Sequence, residues 1–182
     1  MGWVVWREKE NVPEEMIFWV DYLGGNEPDL SINFSRPGAQ ILLQYYNFLH
    51  LGKSGYRRVQ KASIDNARYM ADELAKMPCF DVYTAAEHMP LITWKMKDGY
   101  TDKWDVYDLS DKLRARGWQI PAYPLTANAT NVHVLRVVFR NGVSRDMCDL
   151  MLSDIERAVD EYDKLVVPLP RDVRTTTTFD HT

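Results

Sequence analysis

The chain has 182 residues, of which 46% are hydrophobic and 26% are charged, and its formal net charge is −4. This length fits one domain or at most two, and this composition excludes disordered and collagen-like proteins. Nucleic acid is excluded as a main partner, because a protein that binds phosphate backbones normally carries an excess of basic residues.

The first 35 residues predict short extended segments. Residues 3–6 form an apolar run that charged residues close, which is typical of a strand buried on both faces. Residues 24–29 are dense in turn-forming residues and predict a loop. In residues 30–34, apolar and polar side chains alternate as they do in a half-buried strand.

A long helical region follows, with a break in its middle. Pro37 is acceptable in the first turn of a helix, and the apolar residues after it cover more than one helix face, which predicts burial. These apolar residues are Ile41, Leu42, Tyr45, Tyr46, Phe48 and Leu49. Residues 52–55 (Gly-Lys-Ser-Gly) break this helix, and a second helix is predicted over residues 56–77, where Pro78 ends it.

From residue 79 onward the predicted order is strand, strand, helix, strand, strand, helix. The predicted segments are residues 80–83, 91–96, 105–116, 118–120 and 132–139, then a helix that Ser144 caps. This order predicts a small α+β domain over residues 79–167, with an antiparallel or mixed sheet and helices on one of its faces. Residues 168–182 have no apolar period and are predicted to be a mobile tail.

Neither a membrane span nor a secretory signal is expected, because there is no apolar run of about 20 residues and no basic-then-apolar leader. The two cysteines, Cys79 and Cys148, lie far apart and lack the spacing of a zinc site. We therefore predict a soluble, cytoplasmic chain without a disulfide framework or a metal site.

Several short segments, which together extend over nearly the whole chain, carry a resemblance to a known family. They are residues 2–6 (Gly-Trp-Val-Val-Trp), 20–25 (Val-Asp-Tyr-Leu-Gly-Gly), 32–37 (Ile-Asn-Phe-Ser-Arg-Pro), 44–48 (Gln-Tyr-Tyr-Asn-Phe), 51–56 (Leu-Gly-Lys-Ser-Gly-Tyr), 117–123 (Gly-Trp-Gln-Ile-Pro-Ala-Tyr) and 135–138 (Leu-Arg-Val-Val). In this order they resemble the glutamate decarboxylases, which are group II pyridoxal-phosphate-dependent decarboxylases of the aspartate-aminotransferase fold type.

The resemblance implies the carboxyl-terminal part of such an enzyme. Residues 1–35 would be a remnant of the large cofactor-binding domain, residues 36–78 linking helices, and residues 79–167 the small domain of the fold. The implied cofactor is pyridoxal 5'-phosphate and the implied substrate is L-glutamate. The implied partners are the remainder of the decarboxylase and a second subunit of a homo-oligomer.

The resemblance also implies that the catalytic lysine is absent from this chain. In the family this lysine lies in a Ser-x-His-Lys segment upstream of the Gly-Trp-Val block, and the sequence contains no His-Lys pair. Lys53, Lys61 and Lys95 are predicted to be solvated charges on helix or edge-strand surfaces. Because a lysine amine must carry the cofactor, the chain alone is expected to be inactive and not to bind pyridoxal phosphate.

Arg136 is the first candidate site residue, since it lies in an apolar strand where an unpaired charge is costly to bury. The resemblance implies that its guanidinium binds a carboxylate of the substrate, a role that suits a planar group with two parallel donors. The alternative is that Arg136 pairs with an acidic residue of the chain and has only a structural role.

Three further residues take their roles from the resemblance. Ser35 stands before a helix that its hydroxyl could cap, and in the family it reaches the cofactor phosphate of the neighbouring subunit, with Phe34 lining the same pocket. His181 resembles the histidine that closes the active site of bacterial members near neutral pH. The tail lacks the basic amphipathic helix that would bind calmodulin.

Two alternatives to a glutamate decarboxylase segment stay open. One is a segment of another group II decarboxylase that acts on an aromatic amino acid or on aspartate. The other is a non-catalytic, truncated homologue that acts as an association module, because an unpaired apolar edge tends to bind another chain.

Overall fold

The computed structural model of the chain describes residues 4–21, 24–30 and 36–170. Contacts divide the chain into two compact units, residues 1–55 and residues 56–182. Phe34, Ser35 and His181 lie outside the described residues. The division of the chain into four segments stays a prediction.

The first unit contains a small antiparallel hairpin. Strand β1 (Phe18–Val20) pairs with strand β2 (Glu27–Asp29). Part of the segment predicted as a loop over residues 24–29 is therefore a strand, because its backbone pairs with β1.

Residues 4–6 are not a strand, and Val4 and Val5 are 78% and 86% exposed, so the buried strand predicted over residues 3–6 is wrong for the part that is described. Beyond Leu30, the strand predicted over residues 30–34 lies outside the described residues.

Helix α1 (Ala39–Lys76) is interrupted at Gly52. Gly52 has φ 54° and ψ −175°, a conformation that is rare for residues with a side chain, and it confirms the break predicted from the glycines. The burial predicted for the six apolar residues before the break is wrong within the described residues, because all six are 46–68% exposed. Their pattern requires a covering surface, and the described residues do not supply it.

The second unit is built on a four-stranded antiparallel sheet. Its elements in chain order are β3 (Phe80–Ala85), β4 (Leu91–Met96), α2 (Val106–Arg114), β5 (Ala122–Pro124), β6 (His133–Val138) and α3 (Arg145–Asp163). The strand order is β3-β4-β6-β5. The predicted order of strands and helices is confirmed, and Ser144 caps α3 by accepting a hydrogen bond from the backbone N–H of Met147, as expected.

The strand predicted over residues 118–120 is wrong, because no strand of the described residues pairs with this segment. The indole N–H of Trp118 donates to Asp154, and the carbonyl of Ile120 accepts from the hydroxyl of Ser110. The strand of this region is β5, which begins at Ala122.

One face of the sheet forms the core with the helices. Buried side chains of the strands include Phe80, Ile92, Trp94 and Leu135, and they belong to one apolar cluster with residues of α1, α2 and α3. At about 25 cal/mol for each Å² of apolar surface, this burial is the main favourable contribution to the stability of the unit. Within the described residues, no helix is long and apolar enough to cross a membrane.

Asp154 joins α3 to the segment that follows α2. Its side chain is 9% exposed and accepts from the indole N–H of Trp118 at 2.9 Å and from Nε of Arg116 at 3.1 Å. Arg157 lies 3.4 Å away, on the same helix as Asp154. The hydrogen bond from Trp118, followed by the positive charge of Arg116, lowers the pKa of Asp154 below the usual value of an aspartate.

We expect Asp154→Ala to lower the free energy of unfolding by about 2 kcal/mol at pH 7, because it removes hydrogen bonds to a charged acceptor. Since the native pKa is lowered, this contribution is present above the unfolded pKa of about 3.9 and is lost as the pH falls through the native pKa. Urea unfolding followed by circular dichroism at pH 7 and at lower pH measures both effects.

The matched control for this prediction is Glu156→Ala, since Glu156 is exposed on the same helix. It should leave the stability within about 0.5 kcal/mol of the parent, as surface substitutions usually do. A difference between parent and Asp154→Ala that stays constant with pH would contradict the role of the carboxylate charge.

Candidate functional site

Arg136 is the predicted site residue that the structure describes. It lies on β6, an interior strand of the sheet, and its side chain is exposed. Its neighbours in sequence, Leu135 and Val137, point to the opposite face, where Leu135 is fully buried. The alternation along β6 therefore presents the guanidinium on the sheet face that does not form the core.

Two threonines continue the row that Arg136 begins. Arg136 is directly opposite Thr93 of β4, and Thr93 is directly opposite Thr84 of β3. Residues opposite each other in antiparallel strands share a sheet face, so the three side chains form one polar row. The hydroxyls of Thr84 and Thr93 are 2.8 Å apart and hydrogen-bond to each other.

The guanidinium of Arg136 has no acidic partner in the part of the chain that the structure describes. None of the ion pairs formed by the described residues includes Arg136. Its side chain contacts the ring of Tyr123, whose centroid lies 5.4 Å from the guanidinium carbon. The structural alternative, in which Arg136 pairs with an acidic residue, is therefore not supported by the described residues.

Lys95 differs from Arg136 because its positive charge has carboxylate partners within the chain. It lies on β4, an interior strand, so the prediction of an edge-strand surface for this lysine is wrong. Its ammonium is 2.8 Å from a carboxylate oxygen of Asp98 and 3.9 Å from one of Asp81. The positive charge of Lys95 is compensated within the chain, whereas that of Arg136 is available to a carboxylate from elsewhere.

The lysines of the chain are either exposed or bonded to an oxygen atom. All nine are in the described residues, and the six with exposed side chains are Lys9, Lys53, Lys61, Lys76, Lys97 and Lys164. Lys95, Lys103 and Lys112 are half-buried, and the ammonium of each is bonded to a carboxylate or a carbonyl oxygen. None has the enclosed, unpaired amine that a cofactor lysine needs. No group of histidine, cysteine and carboxylate side chains in these residues could hold a metal ion.

The sequence did not single out Thr84, Thr93 or Tyr123 as site residues. Their proximity to Arg136 arises from strand pairing between distant parts of the chain, which periodicity does not reveal. One feature of the sequence could have indicated Tyr123: it ends the segment over residues 117–123, which carries part of the family resemblance. The predicted roles of Phe34, Ser35 and His181 fall outside the described residues and stay predictions.

Comparison with known proteins gives consistent results. Residues 1–97 match the pyridoxal-dependent decarboxylase conserved domain. The chain is 40% identical over all its 182 residues to a glutamate decarboxylase of Aliivibrio fischeri, but it spans only 39% of that relative's length.

Two solved structures show the same fold. A glutamate decarboxylase of Lactobacillus brevis matches with a TM-score of 0.79 and 37% identity, over 89% of this chain and 37% of that one. A sphingosine-1-phosphate lyase of Burkholderia pseudomallei matches with a TM-score of 0.62 at 21% identity, over 80% of this chain and 30% of that one. These matches confirm the predicted α+β fold class of the fold-type-I pyridoxal-phosphate enzymes. The domain match, which covers more than half of the residues, shows that the chain belongs to the pyridoxal-dependent decarboxylase family, whose cofactor is pyridoxal phosphate.

Proposed function

We propose that the chain is the carboxyl-terminal part of a glutamate decarboxylase, which converts L-glutamate to 4-aminobutanoate and CO₂. In the whole enzyme, Arg136 binds a carboxylate of glutamate. The observation that carries this proposal is the exposed guanidinium of Arg136, which has no carboxylate partner among the described residues. The relatives that match the whole chain and are named glutamate decarboxylases support the choice of substrate.

The chemistry of the two groups supports this role. A guanidinium stays charged at every physiological pH and presents parallel N–H donors, which fit the two oxygens of a carboxylate. Glutamate carries two carboxylates, so an arginine that binds one of them also orients the rest of the molecule. The sheet keeps the backbone of Arg136 fixed through its pairing with β4 on one side and β5 on the other.

The described residues alone do not fit the cofactor, because their lysines are exposed or already bonded. Pyridoxal phosphate, when it is bound, withdraws the electrons that remain after CO₂ departs. In this proposal, the remainder of the decarboxylase binds the cofactor and this chain contributes a contact with the substrate. Cofactor contacts of Ser35 and Phe34 in a second subunit, closure by His181 and a cytoplasmic location are parts of the proposal that rest on the resemblance.

We expect the 182-residue chain alone to release no CO₂ from glutamate. After incubation with pyridoxal phosphate and reduction by borohydride, mass spectrometry should find no lysine that carries the cofactor, since none of the nine lysines is enclosed. A full-length glutamate decarboxylase treated in parallel is the control. Turnover by the chain, or stoichiometric labelling of one lysine, would overturn the claim that the essential lysine lies elsewhere.

We also expect the chain to self-associate, because the helix before Gly52 exposes a contiguous set of large apolar side chains. Leu42 and Leu49 are each 68% exposed, and such patches are rare on monomers. Leu42→Glu should weaken association by making this surface charged, while Gln40→Glu, at an exposed polar position of the same helix, should not. Light scattering after size exclusion measures the mass, and a monomer at high concentration would count against this prediction.

Arg136→Lys tests the main proposal in a full-length decarboxylase that contains this chain. The substitution keeps the positive charge but replaces a planar two-point contact with a point charge. Losing part of a charge-assisted contact in a closed site costs about 2–4 kcal/mol of transition-state stabilisation, so kcat/KM for glutamate should fall about 30- to 1,000-fold. Cofactor absorbance on the same preparation should be unchanged.

The control for this substitution is Arg140→Lys, the same change at an exposed arginine just beyond β6. It should leave kcat/KM near the parent value. Near-normal turnover of Arg136→Lys would rule out the carboxylate role. Loss of cofactor together with loss of soluble protein would point to a structural role for Arg136.

A further inference from the structure

We propose that Tyr123 is a positioning residue that holds the guanidinium of Arg136 in place for the substrate carboxylate. This inference rests on the proposed function, because it concerns the same arginine. The inference adds Tyr123 to the proposed site. Tyr123 makes no contact of its own with the substrate and acts only through Arg136.

The sheet register brings the two side chains together. Tyr123 of β5 is directly opposite Val134 of β6, which places it diagonally from Arg136 on the same face. Diagonal neighbours in antiparallel strands are within reach when one side chain is aromatic and the other is long. The backbone N–H of Arg136 donates to the carbonyl of Pro121 at 3.2 Å, so the pairing extends to the arginine itself.

The contact is a cation–π interaction. The guanidinium carbon lies over the ring of Tyr123 at 5.4 Å from its centroid, within the distance at which a ring face attracts a cation. An aromatic ring accepts this contact with its π face, so it leaves the N–H donors of the guanidinium available to a carboxylate. The ring therefore restrains a side chain that would otherwise have many rotamers, without competing with the substrate.

A second tyrosine–arginine contact in the chain, between Tyr69 and Arg145, has a structural role and serves as a comparison. The guanidinium carbon of Arg145 lies 3.6 Å from the ring centroid of Tyr69, and the hydroxyl of Tyr69 donates to Asp149 at 2.6 Å. Tyr69 thus links α1 to both a cation and an anion of α3. By contrast, the hydroxyl of Tyr123 makes no hydrogen bond with the described residues, so a phenyl ring at this position would make the same contact with the guanidinium.

The test uses a full-length decarboxylase that contains this chain, with four single variants: Tyr123→Leu, Tyr123→Phe, Arg136→Lys and Tyr69→Leu. Tyr123→Leu should raise KM for glutamate about 3- to 10-fold while kcat changes less than about twofold, because it loosens a binding group rather than a reacting one. Tyr123→Phe should stay close to the parent. Tyr69→Leu removes the same kind of ring from the other pair and should leave KM unchanged.

The double variant Tyr123→Leu/Arg136→Lys separates the two claims. If Tyr123 acts through Arg136, Tyr123→Leu should raise KM for glutamate less in the Arg136→Lys variant than it does in the parent enzyme. Arg136→Lys with normal kinetics would overturn the proposed function, and this inference with it. If Arg136→Lys impairs the kinetics while Tyr123→Leu leaves them normal, only the role of Tyr123 is overturned. The same conclusion follows if Tyr123→Phe raises KM as much as Tyr123→Leu does.

A measurement on the parent chain keeps the inference testable if Tyr123→Leu does not fold. In the 182-residue chain, the δ-methylene protons of Arg136 should resonate upfield of those of exposed Arg140, since the guanidinium that they adjoin lies over the ring of Tyr123. Equal chemical shifts for the two arginines would overturn the contact. An upfield shift that survives in Tyr123→Phe would support it, because the ring and not the hydroxyl is responsible.

Discussion

The pairing of β6 with β4 is the constraint on which the candidate site depends. In this register Arg136 is opposite Thr93 while Leu135 is opposite Trp94, on the other face of the sheet. Because side chains alternate along a strand, a slip by one residue would turn the guanidinium into the core and expose the leucine. Burial of Trp94 and Leu135 therefore fixes the side of the sheet from which Arg136 extends.

This arrangement separates the residues that stabilise the unit from the residues for which substrate binding is proposed. The helices and the core lie on one face of the sheet, and Asp154 anchors α3 there through Trp118 and Arg116. Arg136 and Tyr123 lie on the other face. Substitutions in this pair should therefore leave the apolar cluster intact, so that their kinetic effects test the proposed carboxylate contact directly.

The sequence predicted the parts of the fold that depend on local patterns. Strand β4 has its predicted bounds, and Ser144 caps α3 as expected, because alternation and capping are set by neighbouring residues. The strand predicted over residues 118–120 was wrong, because local alternation does not reveal that the strand which pairs with β6 begins only at Ala122. The same limit applies to the site, since the contact between Tyr123 and Arg136 exists only after β5 and β6 have paired.

Two exposed features favour an enzyme segment over an association module. The apolar side chains before Gly52 lack a covering surface, and the guanidinium of Arg136 lacks a carboxylate, in both cases among the described residues. An association module accounts for the first feature, since a partner chain would bury it. It does not account for a charged group held by a sheet and an aromatic ring with its donors unused. The proposed decarboxylase would account for both, because the remainder of such an enzyme would cover the helix and its substrate would supply the carboxylate.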